Sequence, residues 1–404
     1  MGSPALGRPV EILMLPTQSR GPGAFAHFDL NRVSTPCYVV DEEKIRSNLQ
    51  TLRDIGNDSG ARVLLALKAF SMWSLAGMIE EYLDGCCASG LWEARLAREK
   101  NFAPQTEDKI LSTFSPAFRE EEIEEIISLS DHLIFNSPCA FGFEHARKSD
   151  VSLGLRINPE LSLGLDPKYD SCAKNSRLGY PLSKLNPDEI SKFHGLHFHT
   201  LCEQNFEPLF ETWQKIEQRL GSMIHQFEWI NLGGGHHCTR DDYDRAGLVE
   251  LISRISEKYD LEVILEPGEA VAFDAGILVG EVLDIMDAEK RHALLDLSAT
   301  CHAPDVIEAP YRPALSGEIT EGGYEYFIGG SSCLTADSFG SYRLPYELHR
   351  GSRVAFLDQA HYTMVKTNTF NGVILPSIAL WNSKTDELKM IKRFNYEEFV
   401  NRLS

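Results

Sequence analysis

From residue 62 to residue 268 the chain alternates short apolar runs with amphipathic stretches. The apolar runs are RVLLALK (62–68), CCAS (86–89), KILSTF (109–114), HLIFNS (132–137), VSLGLRINP (151–159), GLHFHTL (195–201), EWINLGGG (228–235) and LEVILEPG (261–268). All have the length of a buried strand, and all but CCAS carry β-branched or aromatic residues. Between them, segments such as 74–85, 92–100, 120–130, the helix-like AFGFEHARK, 187–193, FEPLFETWQKIEQRL and 244–260 carry helical spacing. Gly85 closes the first of these. Eight strands, most followed by a helix, predict an α/β fold with a parallel sheet, a (β/α)8 TIM-like barrel over residues 42–275. CYVVD (37–41) predicts a strand, and 41–55 a helix with Asp41 as N-cap. Beyond residue 275 the rhythm changes. ILVGEVLDIM, HALLDLSA, YEYFIGG, RVAFLDQA and GVILPSIALW are separated by Gly/Pro turns without long helices, which predicts a C-terminal antiparallel β domain over 276–404. Residues 34–41 are expected to join that domain, and the Gly/Pro/Ser-containing residues 1–33 to form a loose extension.

Length and composition narrow the class. A chain of 404 residues exceeds one ordinary core. With 43% apolar and 24% charged residues, it reads as globular. No apolar run spans a membrane, and no basic-then-apolar leader opens the chain, so a cytoplasmic protein is expected. A formal charge of −20 without a basic stripe argues against nucleic acid. It suits a cationic substrate, although a solvated acidic surface accounts for most of it. The nine cysteines read as reduced thiols, and the vicinal Cys86-Cys87 lacks a second pair for zinc.

Function in such barrels sits at the C-terminal ends of strands. The polar groups there are Lys68, Arg156, His197, His199, Gly233, Gly234, Gly235 and Glu266. Lys68 follows the apolar run VLLAL, where desolvation would lower its pKa and free the amine for a Schiff base. The plainer alternative is a lysine snorkelling from a strand end. His197 and His199 alternate, so both face one side. A metal pair completed by His236, His237 or Cys238, a satisfied core pair, and a ring stacked on a planar cofactor all remain open. The triple glycine fits neither GxGxxG nor the P-loop, yet it would let backbone N–H groups approach a phosphate. A tight turn is the alternative. Glu266 could pair with a pyridinium nitrogen or serve as a cap or ion-pair partner.

The order Lys, Arg, HxH, GGG, EPG resembles the fold-type III pyridoxal-phosphate (PLP) decarboxylases with an alanine-racemase-like barrel. The strings 296–313, GGSSCLTADSFG (329–340), LDQAHYTMVKTNTFNG (357–372) and FNYEEFVNRLS (394–404) look like carboxynorspermidine/carboxyspermidine decarboxylases, with the likeness running from about Thr35 onward. The resemblance implies that Lys68 binds pyridoxal 5'-phosphate covalently and that His199 stacks on its ring. It implies that Gly233, Gly234 and Gly235 hold its phosphate with Tyr362, that Glu266 meets the ring nitrogen, and that Arg156 lies near the ring oxygen. Ornithine- and diaminopimelate-specific relatives carry arginine three residues after the glutamate of EPG. Here Glu269 stands there, which suits a substrate with several ammonium groups. Asp305 and Asp337 are further candidates for substrate contacts, with surface ion pairing as the alternative. Cys333 matches a cysteine that enters the site from a partner subunit, which implies a homodimer with shared active sites. The GGSSC string departs from the usual GGPTC. The implied reaction is decarboxylation of a carboxylated polyamine, carboxynorspermidine or carboxyspermidine, to norspermidine or spermidine, in which Cys333 or Lys68 protonates Cα. No metal is expected.

Three other readings compete: a decarboxylase or racemase for another basic amino acid (diaminopimelate, ornithine, arginine) on the same fold; a metal-dependent barrel hydrolase using His197, His199 and His237; and a non-enzymatic PLP-binding protein.

Overall fold

The structure, a computed structural model, describes residues 19–404 except 165, 166 and 310. The chain divides into two compact units. One is Glu42–Phe273; the other joins residues up to Asp41 with Asp274–Ser404. In chain order the elements begin with β1 (Cys37–Asp41), which belongs to the second unit.

The first unit comprises α1 (Glu42–Ser59), β2 (Arg62–Ala66), α2 (Ala76–Tyr82), β3 (Gly85–Ala88), α3 (Leu91–Glu99), β4 (Ile110–Phe114), α4 (Ile123–Leu129) and β5 (His132–Phe135). It continues with α5 (Phe143–Ala146), β6 (Ser152–Asn158), β7 (Tyr180–Pro181), α6 (Pro187–Ile190), β8 (Gly195–His197), α7 (Glu207–Leu220), β9 (Trp229–Asn231), α8 (Arg245–Tyr259), β10 (Glu262–Leu265) and α9 (Glu269–Ala272). Hydrogen bonding runs β5-β4-β3-β2-β10-β9-β8-β6, and β6 returns to β5. Every one of these pairings is parallel, so the eight strands close into the expected barrel. The two-residue β7 extends the sheet beside β6. Two strand ends differ from expectation. The β2 ladder stops at Ala66, leaving Lys68 in a turn, and the β8 ladder stops at His197, leaving His199 beyond it. Single backbone bonds to neighbouring strands carry on past both ends, from Leu67 N–H to Cys87 O and from Phe198 N–H to Asn231 O.

Apolar alternation fills the lower barrel. Leu64, Ile110, Ile134, Trp229 and Ile264 form one buried cluster. The Trp229 indole is too large for a strand flanked by ordinary side chains. Glycines on β6 and β8 make the room: a methyl at Gly195 would lie 2.1 Å from the ring and one at Gly154 2.5 Å from it. His132 stacks flat on the indole, with centroids 4.5 Å apart, and Ser152 Oγ accepts the indole N–H at 2.8 Å.

The second unit adds to β1 the strands β11 (Gly276–Asp287), β12 (Arg291–Leu295), β13 (Tyr324–Gly329), β14 (Ser338–Leu344), β15 (Arg353–Leu357), β16 (Ser377–Asn382) and β17 (Glu387–Lys392). Its short helices are α10 (Ala299–His302), α11 (Asp305–Glu308) and α12 (Tyr396–Val400). The order is β14-β13-β12-β11-β1-β16-β17, with β15 also on β11. β1 joins this sheet as expected, between β11 and β16. The antiparallel expectation holds for the pairings β1–β11, β11–β12, β11–β15, β13–β14 and β16–β17, while β1–β16 and β12–β13 run parallel, so the sheet is mixed. Each of those two pairs is joined by a long excursion instead of a hairpin.

The loose N-terminal extension is also corrected for the residues described. Residues 19–33 form two 3-10 turns, and Phe25, Phe28 and Val33 are buried in a cluster with Trp381, Val39 and Ile277. Aromatic packing here outweighs the Gly/Pro content. The part of that expectation concerning residues 1–18 lies outside the described residues. All nine cysteines are free thiols.

Gly195→Ala should lower unfolding free energy by about 2–3 kcal/mol through overpacking against Trp229. Gly77→Ala, where a methyl meets nothing within 4 Å, should raise it by about 0.5–1 kcal/mol; urea titrations compare the two. Burial, opposed in part by Asp131 and Glu266, pushes the His132 ring down to about 4. The unfolded ring titrates near about 6.5, so only the unfolded chain gains this proton in between. Stability is therefore complete above pH ~6.5 and falls as pH drops toward 4, by up to about 3 kcal/mol from this residue. His132→Phe should flatten that part of a stability–pH curve.

Candidate active site

The C-terminal ends of β2, β6, β8, β9 and β10 bring the strand-end polar residues together. Lys68 lies in the turn after β2, closed by the Ala69 N–H on Ala66 O at 3.0 Å. The turn is pinned from both sides: Ala66 N–H donates to Pro267 O at 2.9 Å and Leu67 N–H to Cys87 O at 3.1 Å. The Lys68 side chain is exposed, so the expectation that its strand desolvates it is corrected. Its ammonium still lies close enough to Glu266, His199 and Cys87 to influence their titration.

Glu266 follows β10 and is buried. Its Oε1 accepts from Asn231 Nδ2 at 2.7 Å, and its Oε2 lies 3.3 Å from His197 Nε2. Burial alone would raise its pKa. The hydrogen bonds from the His197 ring and the Asn231 amide, with the Lys68 charge, outweigh burial and hold the carboxyl well below the usual carboxylate range. His197 is itself pushed toward its neutral form, because burial exceeds the pull of Glu266. At neutral pH the ring is therefore uncharged and donates from Nε2, while Nδ1 is buried without a hydrogen-bond partner among the described residues. Phe114 stacks on His197 with centroids 5.7 Å apart.

Arg156, on β6, is buried with its guanidinium 4.6 Å above the Phe114 ring. Its Nη2 donates to His199 O at 3.1 Å. Burial lowers its pKa to about 10, against the pull of Glu266, and it remains a cation at neutral pH. His199 O also accepts from Ser171 Oγ at 2.6 Å. His199 Nδ1 accepts the Gly234 N–H at 2.9 Å, which places the proton of the neutral ring on Nε2. Burial, and then Lys68 and Arg156, push that ring well below the ordinary histidine range.

The turn Gly233-Gly234-Gly235 passes where backbone must approach backbone. A methyl at Gly234 would lie 2.0 Å from Glu266 O, and Gly235 (φ +84°) would place one 2.0 Å from Leu201 O. Its N–H groups are not equivalent. Gly233 donates to Asn231 Oδ1 at 2.8 Å and Gly234 to His199, whereas Gly235 N–H meets no acceptor among the described residues. The turn thus offers one backbone donor, not three.

The metal-site alternative built on His197, His199 and His237 does not assemble, because the three rings face different partners. His237 Nε2 lies 3.5 Å from Glu269 Oε1. Glu203 joins them, with one donor atom from each residue within 4.8 Å of the others. The remaining candidates lie in the sheet unit. Cys333 is exposed in the turn after β13, its N–H bonded to Asn371 Oδ1 at 2.9 Å. Asp337 is buried and holds that turn together, accepting from Ser298 Oγ (2.9 Å), Ser332 N–H (3.0 Å) and Thr300 N–H (3.1 Å). Asp305 and Glu308 both pair with Lys366. Tyr362 is partly buried with φ +46°.

Asn231, Phe114 and Glu203 were missed by sequence reasoning. For Asn231 a signal existed: in the strand WIN, alternation puts Trp229 and Asn231 on one face, and a polar residue facing a barrel interior needs a partner. Phe114 and Glu203 carry no comparable mark.

A family model described as "Pyridoxal-dependent decarboxylase, C-terminal sheet domain" matches residues 37–360. The carboxynorspermidine/carboxyspermidine decarboxylase of Campylobacter jejuni is 40% identical over 384 residues, 92% of this chain and 99% of that protein. The carboxyaminopropylagmatine decarboxylase of a Synechocystis species is 37% identical over 93% of this chain and 96% of its own length. The carboxynorspermidine/carboxyspermidine decarboxylase of Herminiimonas arsenicoxydans is 34% identical over 92% and 100%. Among solved structures, carboxynorspermidine decarboxylase from Campylobacter jejuni, complexed with norspermidine, superposes with a TM-score of 0.82, covering 92% of this chain and all of that one at 40% identity. Diaminopimelate decarboxylase from Helicobacter pylori shares the fold, with a TM-score of 0.78 at 19% identity. The ordered lysine, arginine, histidine, glycine-turn and glutamate positions, on a closed barrel with a mixed sheet unit, agree with that likeness across more than nine-tenths of the chain: it belongs to the carboxynorspermidine/carboxyspermidine decarboxylase family of pyridoxal-dependent decarboxylases.

Proposed function

We propose that this chain decarboxylates carboxynorspermidine, carboxyspermidine or both, with pyridoxal phosphate held on Lys68 and norspermidine or spermidine as product. The observation that carries the reading is the buried, ionised Glu266 opposite the accessible Lys68 amine. The residues fit a phosphorylated aromatic aldehyde with a ring nitrogen. An exposed amine can bond the aldehyde, a carboxylate ionised at every working pH can pair with a protonated ring nitrogen, and the free Gly235 N–H suits a phosphate oxygen. When bound, pyridoxal phosphate supplies a ring that accepts the electron pair released as CO2 departs.

The chain's own groups do the rest. Lys68 would hold the aldehyde carbon. Glu266 would keep the ring nitrogen protonated, as a fixed negative charge where positive charge is required. The neutral His199 ring would pack against the cofactor ring without adding charge, and Arg156 would be the cation available to its ring oxygen. Gly233, Gly234 and Gly235 shape the phosphate pocket, with Tyr362 as a further donor. Glu269, backed by Glu203, and Asp305 provide anionic sites for the secondary and terminal ammonium groups. Asp337 fixes the turn displaying Cys333 and keeps lone pairs for an amine. Cys333 would reach a second copy's site in a homodimer, where either it or Lys68 would supply the one proton that replaces CO2 on Cα. A cytoplasmic setting accords with this chemistry.

The substrate class follows from what the curated relatives share. Those from Campylobacter, Synechocystis and Herminiimonas are each named for a carboxylated, amine-bearing substrate. The Synechocystis protein supports a second reading, carboxyaminopropylagmatine, in which a guanidinium replaces the terminal ammonium.

The purified protein should absorb in the near-visible, and borohydride should bleach it while fixing the label on Lys68. Lys68→Ala should remove that band and lower turnover by ~1000-fold or more. A CO2-release panel should rank both carboxylated triamines above carboxyaminopropylagmatine and diaminopimelate. Turnover of diaminopimelate alone, or an unlabelled Lys68, would overturn the assignment.

A further inference from the structure

Asn231 is completely buried at the end of β9, and its amide is engaged at both ends. Nδ2 donates to Glu266 Oε1 at 2.7 Å, while Oδ1 accepts the Gly233 N–H at 2.8 Å. One rigid side chain therefore ties the carboxylate assigned to the ring nitrogen to the glycine turn assigned to the phosphate. The two backbones already meet, since Glu266 N–H donates to Gly233 O at 2.8 Å; what Asn231 adds is the placement of the Glu266 carboxylate on that fixed frame.

We propose that Asn231 is a positioning residue that sets the orientation of the Glu266 carboxylate relative to the glycine turn, so that ring nitrogen and phosphate are gripped together. The inference rests on the cofactor reading above.

Several groups face Glu266. They are His197 from β8, Arg156 from β6, Lys68 after β2, Cys87 from β3 and His132 from β5. Cys87 is kept protonated by burial, and both histidines are driven neutral by burial. Of the two cations, Lys68 is exposed and would change partner on cofactor binding, and Arg156 is buried and engaged by His199 O. Asn231 is the donor to Glu266 whose hydrogen bond is unchanged at any pH and loading state. It also has no slack. Its Oδ1–Gly233 bond fixes the amide plane, which fixes where Nδ2 points. A merely structural asparagine would satisfy two buried groups with no consequence for the charge of Glu266.

Two substitutions separate these roles. Asn231→Asp keeps the volume and the acceptor for Gly233 but removes the donor and sets a second carboxyl beside Glu266. One proton is then shared between the two acids, and more of it is present as pH falls. Asn231→Ala removes both bonds. Each variant is made as the full chain, stripped of cofactor, and titrated with pyridoxal phosphate by absorbance. Turnover is then followed from pH 6 to 9 against wild type. For Asn231→Asp, affinity should stay within about 3-fold of wild type. Its kcat should fall ~10- to 100-fold at pH 8.5, with the ratio to wild type recovering as pH decreases. Asn231→Ala should bind the cofactor at least ~10-fold more weakly. A variant-to-wild-type ratio independent of pH for Asn231→Asp, or wild-type cofactor affinity in Asn231→Ala, overturns the proposal. Wild-type protein that takes up no cofactor sinks the functional reading and this inference together. Uptake by wild type with indifferent variants sinks this inference alone.

Discussion

A carboxylate inside a barrel is tolerable only if its charge is answered. Removing an ionised group from water costs several kcal/mol, about what one domain has to spare. Glu266 meets this constraint with one donor on each oxygen and cations at the mouth, and the neighbouring features follow from supplying those partners. His197 is neutral and donates from Nε2. Asn231 turns its amide inward instead of toward solvent. Arg156 is held over Phe114, where the ring face offsets the loss of water around a buried guanidinium. Each partner comes from a different strand, so the arrangement exists only because the sheet closes on itself.

The barrel has two ends with different physics. Below, Trp229, His132 and the apolar cluster form a dry layer whose shape depends on Gly154 and Gly195. Above, strands give way early to polar turns, and the side chains answer one another by hydrogen bonds. The early endings of β2 and β8 belong to this change. A lysine held in the ladder at Lys68 would point along the strand face. In a turn it stands exposed, able to exchange one bonding partner for another. The glycine turn is likewise closed by its own network, so that one N–H of three remains for an anion. Recognition there depends on placement more than on the number of donors.

Charge is distributed in a way that suits a polycation. The overall excess is −20, and Glu203 and Glu269 gather around His237 in the barrel unit. In the sheet unit, Asp305 and Glu308 already hold one primary ammonium, that of Lys366. Long-range attraction raises encounter rates with a cationic ligand, while selectivity among polyamines requires contacts at defined distances.

Much was legible in the one-dimensional pattern. Eight apolar runs at regular spacing dictated the barrel, because each strand must be buried on both faces between helices. Lysine, arginine, glutamate and the glycine turn declared themselves by standing where apolar runs end. Long odd strings beyond residue 296 carried the family likeness. What the pattern could not decide depends on partners distant in sequence. It could not reveal that residues 19–33 pack by aromatic contact with Trp381, or that β1–β16 and β12–β13 run parallel, since strand direction follows from the path of the chain between pairs. Nor could it show that two of three glycine N–H groups are already engaged, or that His197, His199 and His237 face three different ways. Periodicity reports which side of an element is buried. Which atom answers which is set only when the strands close and bring residues 231, 197 and 266 within bonding distance.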